Sequence, residues 1–400
     1  MKALITISRF IVGVLFVFSG LIKANDPLGL SYKMQEFFEI WGWNSLNDFT
    51  LVFSILMIAF EIIAGVAVLV GWQMRLFSWL LLLLTIFFTF LTGYALFSGK
   101  IRECGCFGDC IPLTAQQSFI KDLILLLLIL LIFANRNKIK NSLPAAGSFS
   151  ILLLTTIFSF GFQWWVLKHL PVIDCLPYKL GRNIAEQMKV PAGAIQDSTV
   201  INFVYMKQGK EVEFTADKFP DDFDDSLYTF VKRYDKLIRK GNAEVAIKDF
   251  ALSTKSGNDT TQAILNTPGY TVLAFTKGIK EAHPAWLDEF TIIHTDLSAK
   301  NIPIYFVTND FDNISVWAEK AGINNRMTIL KCDFVAIKTA ARADPTIYLL
   351  QQGNIVKKWS YADFDKASDY LKNLKSSIAL NQFKGISSSL IPHTSYLKPR

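Results

Sequence analysis

The sequence predicts an α-helical membrane bundle of five spans followed by a soluble α/β domain. Two observations set that class. Apolar residues make up 51% of the 400-residue chain and are concentrated in five runs in its first part. From about Pro171 the composition changes to lysine and aspartate scattered among short apolar stretches, the pattern of a layered α/β fold in water.

The five runs are Leu4–Ile22, Leu51–Val70, Leu76–Phe97, Phe119–Phe133 and Phe149–Leu167. A spanning helix needs about 20 mostly apolar residues. Phe119–Phe133 is short and relies on Lys121, Asp122 and Arg136 to reach the interfaces. The first run has the look of a secretory signal, with Lys2 ahead of it and Arg9 within it. No small-x-small cleavage site follows, and Lys23-Ala24-Asn25-Asp26-Pro27 reads as a turn, so it is expected to be a retained span.

In such a chain the formal charge of +7 sets topology and gives no reason to expect nucleic acid. Short loops rich in Lys and Arg stay in the cytoplasm. Arg75 lies in the turn between the second and third spans, and Arg136, Lys138 and Lys140 lie in Asn135–Ser142 with no acid. The N-terminus is therefore expected on the cytoplasmic side of the inner (cytoplasmic) membrane. The 23–49 loop, the loop after the third span and everything beyond Leu167 are expected outside. Between the first two spans, Met34, Phe37, Phe38 and Trp41 fall on one helical face opposite Lys33, Glu36 and Glu39. Two arrangements suit that pattern, a helix in the membrane surface or a helix packed over the mouth of the bundle.

In the soluble part, Thr199–Met206 and Glu211–Thr215 read as strands turning at Gln208-Gly209-Lys210, and Phe219–Lys240 as an amphipathic helix. Val245–Ser253 reads as part of a strand pair. Strands at Tyr270–Thr276 and Ile302–Thr308 alternate with helices around Ala285–Ala299 and Asn313–Ala321. Thr346–Gln351 and Ile355–Ser360, joined by Gln352-Gly353-Asn354, read as a hairpin, followed by a closing helix, Tyr361–Ser376.

The densest chemistry lies between the third and fourth spans, in Cys104-Gly105-Cys106-Phe107-Gly108-Asp109-Cys110. On the outer side of the membrane, disulfides persist. A disulfide across one residue is strained and exchanges readily, with Cys110 as a resolving thiol. A disulfide that pins the loop, with one thiol left over or paired to Cys175, is the structural alternative, and three thiolates holding a metal is another, although the spacing fits no common zinc pattern. Cys175 shares the expected compartment and either passes a disulfide onward or ties the linker down. Cys332 reads as an inert thiol. Glu61 lies in mid-span, where an acid is a functional candidate by default. It serves either as a proton acceptor beside a bound membrane quinone or as a protonated hydrogen-bonding group, with Thr85, Thr89 and Thr92 as a polar stripe opposite it. The candidate redox residues are thus Cys104, Cys106, Cys110, Cys175 and Glu61.

The first 135 residues resemble the DoxX family and its relative, the MauE membrane proteins of methylamine utilisation. Phe18-Ser19-Gly20-Leu21-Ile22-Lys23, Asp26-Pro27-Leu28-Gly29, Glu61 with Gly65 and Gly71, and Cys104-Gly105-Cys106-Phe107-Gly108-Asp109 carry that resemblance. It implies a four-helix bundle and a redox or cofactor-maturation setting. Over roughly Ala243–Leu380 the order of elements, together with Asp344-Pro345-Thr346 and Lys248-Asp249-Phe250-Ala251-Leu252, resembles thioredoxin. Where that family places its Cys-x-x-Cys, this chain reads Thr276-Lys277-Gly278-Ile279-Lys280-Glu281-Ala282-His283-Pro284, without cysteine. The expected division is a membrane domain over 1–135, a cytoplasmic loop and fifth span over 136–170, a linker and α/β extension over 171–242, a thioredoxin-like domain over 243–380 and a tail over 381–400. Two functions are compatible with these residues. One is thiol–disulfide exchange with an exported thiol-containing client and electron transfer to an acceptor in the lipid bilayer. The other is a non-catalytic membrane-anchored assembly protein with structural cysteines.

Overall fold

A computed structural model describes residues 2–99, 101, 105, 107–196, 198–224, 226–239, 241, 243–279, 281–323 and 327–374. Cys104, Cys106, the end of the expected closing helix and the tail lie outside the described residues.

Among the described residues, five helices are long and apolar enough to cross a membrane. They are α1 (Lys2–Ala24), α3 (Thr50–Val70), α4 (Met74–Ser98), α5 (Ala115–Ala134) and α6 (Ala145–Lys168), with α2 (Pro27–Ile40) between the first two. Along α1, Ile5, Ser8, Val12, Phe16, Gly20 and Lys23 are buried at three- and four-residue intervals. Leu4, Ile7, Phe10 and Val14 on the other side are exposed, and an apolar face turned outward suits lipid. α1 and α3 lie close because each brings a glycine to the crossing. A Cβ on Gly65 would sit 2.9 Å from the Gly13 carbonyl oxygen and 2.9 Å from the Val17 nitrogen, contacts that backbone cannot relieve. Asp26 caps α2 by accepting from the Gly29 amide, with Pro27 in the first turn, and Thr114 with Gln117 forms a capping box that starts α5. α2 packs over the bundle mouth, and Met34, Phe37, Phe38 and Trp41 line a cavity beneath it.

The described residues of the soluble part form two sheets. In the first, β1 (Ser198–Lys207), β2 (Lys210–Thr215) and β3 (Tyr228–Arg239) are antiparallel in the order β2-β1-β3. In the second, β4 (Tyr270–Thr276), β5 (Ile304–Thr308) and β6 (Thr328–Lys331) are parallel, and β7 (Thr346–Gln351) and β8 (Asn354–Ser360) complete the order β6-β5-β4-β7-β8 by antiparallel pairing. Alternation along β4 feeds both faces. Leu273 and Phe275 join one core with Tyr178, Phe250, Leu252, Ile184 of α7 (Ile184–Gln187) and Leu265 of α8 (Thr261–Leu265). Val272 and Ala274 join the other, beneath α9 (Leu287–Ala299), α10 (Phe311–Lys320) and α12 (Phe364–Lys372).

Several expected elements differ. Phe219–Lys240 is not a helix; its second half is β3, paired over its length with β1. Its aromatic residues recur at intervals compatible with both periods, and cross-strand pairing to Phe203 and Tyr205 decides for the strand. Phe219 and Phe223 instead pack their rings on Phe214, at 4.7 and 5.9 Å between centroids. Val245–Ser253 forms no strand; Phe250 and Leu252 are buried, and Ser253 makes isolated bridges to Asp259 and Lys331. β6 and α11 (Phe334–Ala340) were not expected. Tyr178 and Ile184, in the stretch read as linker, belong to the core of the larger sheet.

Candidate functional site

Cys110 and Cys175 are joined in a disulfide, with their Cα atoms 4.7 Å apart and a sequence separation of 65. The bond ties the loop before α5 to the segment after α6. Cys332 is a free, buried thiol, and burial pushes its pKa up to about 12, which keeps it protonated and unreactive. Of the five cysteines in the sequence, Cys104 and Cys106 are then the two whose state the described residues leave open. Gly105 between them has φ +67°, a left-handed conformation suited to glycine, and a Cβ there would lie 3.1 Å from Lys33 Cγ of α2.

Glu61 lies in the bundle interior and does not rely on the threonines of α4. It pairs with Lys23, whose Nζ is 2.6 Å from Oε1 and 2.9 Å from Oε2, and Ser19 Oγ lies 3.4 Å from Oε2. The Lys23 and Glu61 side chains are 4% and 2% exposed, so each charge depends on the other. Of the expected stripe, Thr92 donates instead to Asp122 Oδ2 at 3.1 Å, and Asp122 is paired with Lys121. Thr85 lines a small cavity of about 40 Å³ with Lys23, Glu61, Lys121 and Asp122, room for about one water molecule.

A much larger cavity, about 460 Å³, lies on the other side of Lys23. Its walls come from α2, α3 and α4, and Gly105 forms part of them. Phe53, Leu56 and Phe87 also line it, and all three are exposed on the outside of the bundle. The cavity is thus apolar, open toward the lipid-facing surface, and in contact with the cysteine loop at Gly105.

Residues 1–135 match the family model described as methylamine utilisation protein MauE. They form a MauE-like membrane domain. Residues 199–240, which contain β1 to β3, match a domain of unknown function, DUF8463. The chain is 27% identical over 133 residues to Protein TlpB of Flavobacterium psychrophilum, a match that covers 31% of this chain and 35% of that relative's length. No solved structure matches the chain significantly.

The α/β domain docks on the MauE-like domain through charge complementarity. Arg342, 6% exposed, donates from Nε to Asp26 at 2.8 Å, from Nη2 to Asp109 at 2.9 Å and from Nη1 to the Lys338 carbonyl at 2.6 Å. Burial alone would lower the Arg342 pKa, but Asp26 and Asp109 outweigh it and raise it. Asp26 is raised in turn, because burial exceeds the help it receives from Arg342. Lys338 reaches Gln35 at 3.1 Å and stands 4.4 Å above the Tyr32 ring. Lys277, in the segment after β4, reaches the Tyr32 hydroxyl at 3.3 Å. Nearer the fifth span, Asn25 exchanges two hydrogen bonds with Ile173, and His169 Nδ1 lies 2.8 Å from Asp363. The end of the domain carrying Lys277, Arg342 and the cis Asp344–Pro345 bond therefore faces α2 and the cysteine loop.

The sequence reading named Glu61 and missed its partner. A buried acid in mid-span needs a cation or a proton, and Lys23, read as part of a turn, was the nearest basic residue at the end of α1. Arg342 was also missed. It lies in Ala340-Ala341-Arg342-Ala343, and nothing local in that run distinguishes it from a surface arginine.

Proposed function

We propose that this membrane protein performs thiol–disulfide exchange at Cys104 and Cys106 and passes the electrons to a lipid-soluble acceptor held in the bundle. The supporting observation is that Gly105, the residue between those two cysteines, lines the large apolar cavity that also contains Lys23. Cys110–Cys175 and the buried Cys332 account for the other thiols. In this reading the Cys110–Cys175 bond anchors the loop, and the Lys23–Glu61 pair handles charge at the inner end of the cavity.

The protein lies in the inner membrane with its N-terminus in the cytoplasm, so the loop and the α/β domain occupy the oxidising side. Loop charges support that orientation. The α/β domain is thioredoxin-like without the redox cysteines, a reading supported by the strand order of the larger sheet and by the Asp344-Pro345-Thr346 segment that enters β7. It recruits an exported thiol-containing client and holds it near the loop.

The test is alkylation trapping of Cys104 and Cys106 in native membranes, with the acceptor pool oxidised or reduced. The pair is expected to be a disulfide in the first condition and largely alkylated in the second. A pair that keeps one oxidation state in both, together with folding loss as the sole effect of Cys104→Ser and Cys106→Ser, would instead establish the structural, non-catalytic reading.

A further inference from the structure

We infer that the 460 Å³ cavity is a binding site for the ring of a membrane quinone, with Lys23 as the hydrogen-bond donor to one of its carbonyl oxygens. This inference deepens the proposal above and rests on it for the redox step, but the binding itself does not.

The cavity has the size and lining of a small-molecule site, mostly apolar with a few placed polar groups. Its character narrows the ligand by three steps. First, it is open at Phe53, Leu56 and Phe87 to the surface that faces lipid, so the ligand enters from the bilayer and is lipophilic. Second, Trp41 and Phe88 supply aromatic walls, which suit a flat ring better than a flexible acyl chain. Third, the two lysines that line it, Lys23 and Lys33, are already paired with acids, Glu61 and Glu36. Two of the three N–H groups of the Lys23 ammonium go to Glu61, which leaves one donor and no net charge. A carboxylate or phosphate entering there would meet Glu61 across a short distance and gain little from Lys23. A neutral carbonyl oxygen accepts the remaining N–H without that repulsion. A lipophilic, planar, neutral carbonyl acceptor is the description of a quinone.

The chemistry balances. Oxidation of two thiols to one disulfide breaks two S–H bonds, forms one S–S bond and releases two electrons and two protons. A quinone takes up both electrons and both protons to become a quinol. The Lys23 hydrogen bond favours the carbonyl oxygen as charge builds on it.

The full chain in nanodiscs is titrated with decylubiquinone, with binding read by equilibrium dialysis, independently of any thiol chemistry. Saturable binding is expected. Met57→Trp, which fills the cavity from α3, should weaken it at least tenfold, and Lys23→Met combined with Glu61→Gln, which removes the donor without leaving a bare charge, by about 10- to 100-fold. Leu127→Trp, on a surface 68% exposed, should leave it unchanged. If Met57→Trp does not assemble, Leu84→Phe replaces it. Variants that bind as wild type does, or equal displacement by oleate or phosphatidylglycerol, would overturn the inference and identify a lipid-filled cleft. Binding that follows the variants while Cys104 and Cys106 stay inert would leave this site standing and remove the redox proposal. Thiol cycling with unchanged binding in the variants would do the reverse.

Discussion

Arg342→Met tests whether one buried guanidinium holds the α/β domain on the bundle and over the cysteine loop. Arg342 is 6% exposed, Asp26 15% and Asp109 34%. Removing one partner of a buried pair costs about 3–5 kcal/mol because the other charge is left unpaired. That figure applies to Asp26. Asp109 is a third exposed and keeps much of its water, so its share is that of a surface pair, under about 1 kcal/mol. The Lys338 carbonyl regains water once the contact opens. The docked state should thus lose about 3–6 kcal/mol, a rise of roughly 100- to 10,000-fold in the undocked population. Hydrogen–deuterium exchange on the full protein measures this directly. Amides in the first turns of α2 and around Gly108 should exchange faster by that factor, while those of β4 and β7 stay protected. In an Asp26→Asn background the same substitution should cost at least 1 kcal/mol less, because the stranded charge is gone. Unchanged exchange at α2, or equal loss of protection in the five-stranded sheet, would refute the assignment of Arg342 to docking.

Cys110→Ser and Cys175→Ser should lower the stability of the bundle end that meets the α/β domain by the same amount, about 2 kcal/mol. This is at the low end of the disulfide range, because α5 packs on α1 and α6 on α3, two helices in mutual contact that already hold the ends of the loop; unequal losses in thermal unfolding would count against a shared bond. Cys332 should make the α/β domain fragile in alkali. Its thiol is raised from 9.0 to about 12 in the folded state, so its contribution is complete below about pH 9 and is lost as pH rises toward 12, on the order of 4 kcal/mol at the end of that window. Chemical unfolding of wild type against Cys332→Ala should diverge above pH 9 and coincide below it, apart from a constant packing difference. Gly65→Val should prevent α1 from seating on α3 and reduce the yield of monodisperse protein, whereas Gly147→Ala, whose added Cβ meets no atom closer than 4.0 Å, should behave as wild type in size-exclusion chromatography.

Much of the architecture was legible because the signals are long or local. Runs such as Leu51–Val70 have no stable place except a bilayer or a protein interior, and α3 ends at Val70 with Gly71 as its left-handed stop. Strands β4 and β7 match their expected limits residue for residue, since continuous apolar runs bounded by turn residues suit a sheet covered on both faces. The helix expected across Phe219–Lys240 failed for the complementary reason. Its apolar spacing suits either period, and β1, the strand that settles it, lies some thirty residues away.

The candidate site divides the same way. Sequence alone marked the cysteine loop, since thiols this close are candidates for disulfide exchange or metal ligation, and marked Glu61, since an acid in mid-span demands an explanation. What answers those demands comes from far along the chain. Lys23 reaches Glu61 across 38 residues, Cys110 meets Cys175 across 65, and Arg342 reaches Asp109 across 233. A sequence states which groups are costly to bury or prone to react. Which group neutralises them, and which cavity they border, depends on packing between helices and domains that no local pattern records.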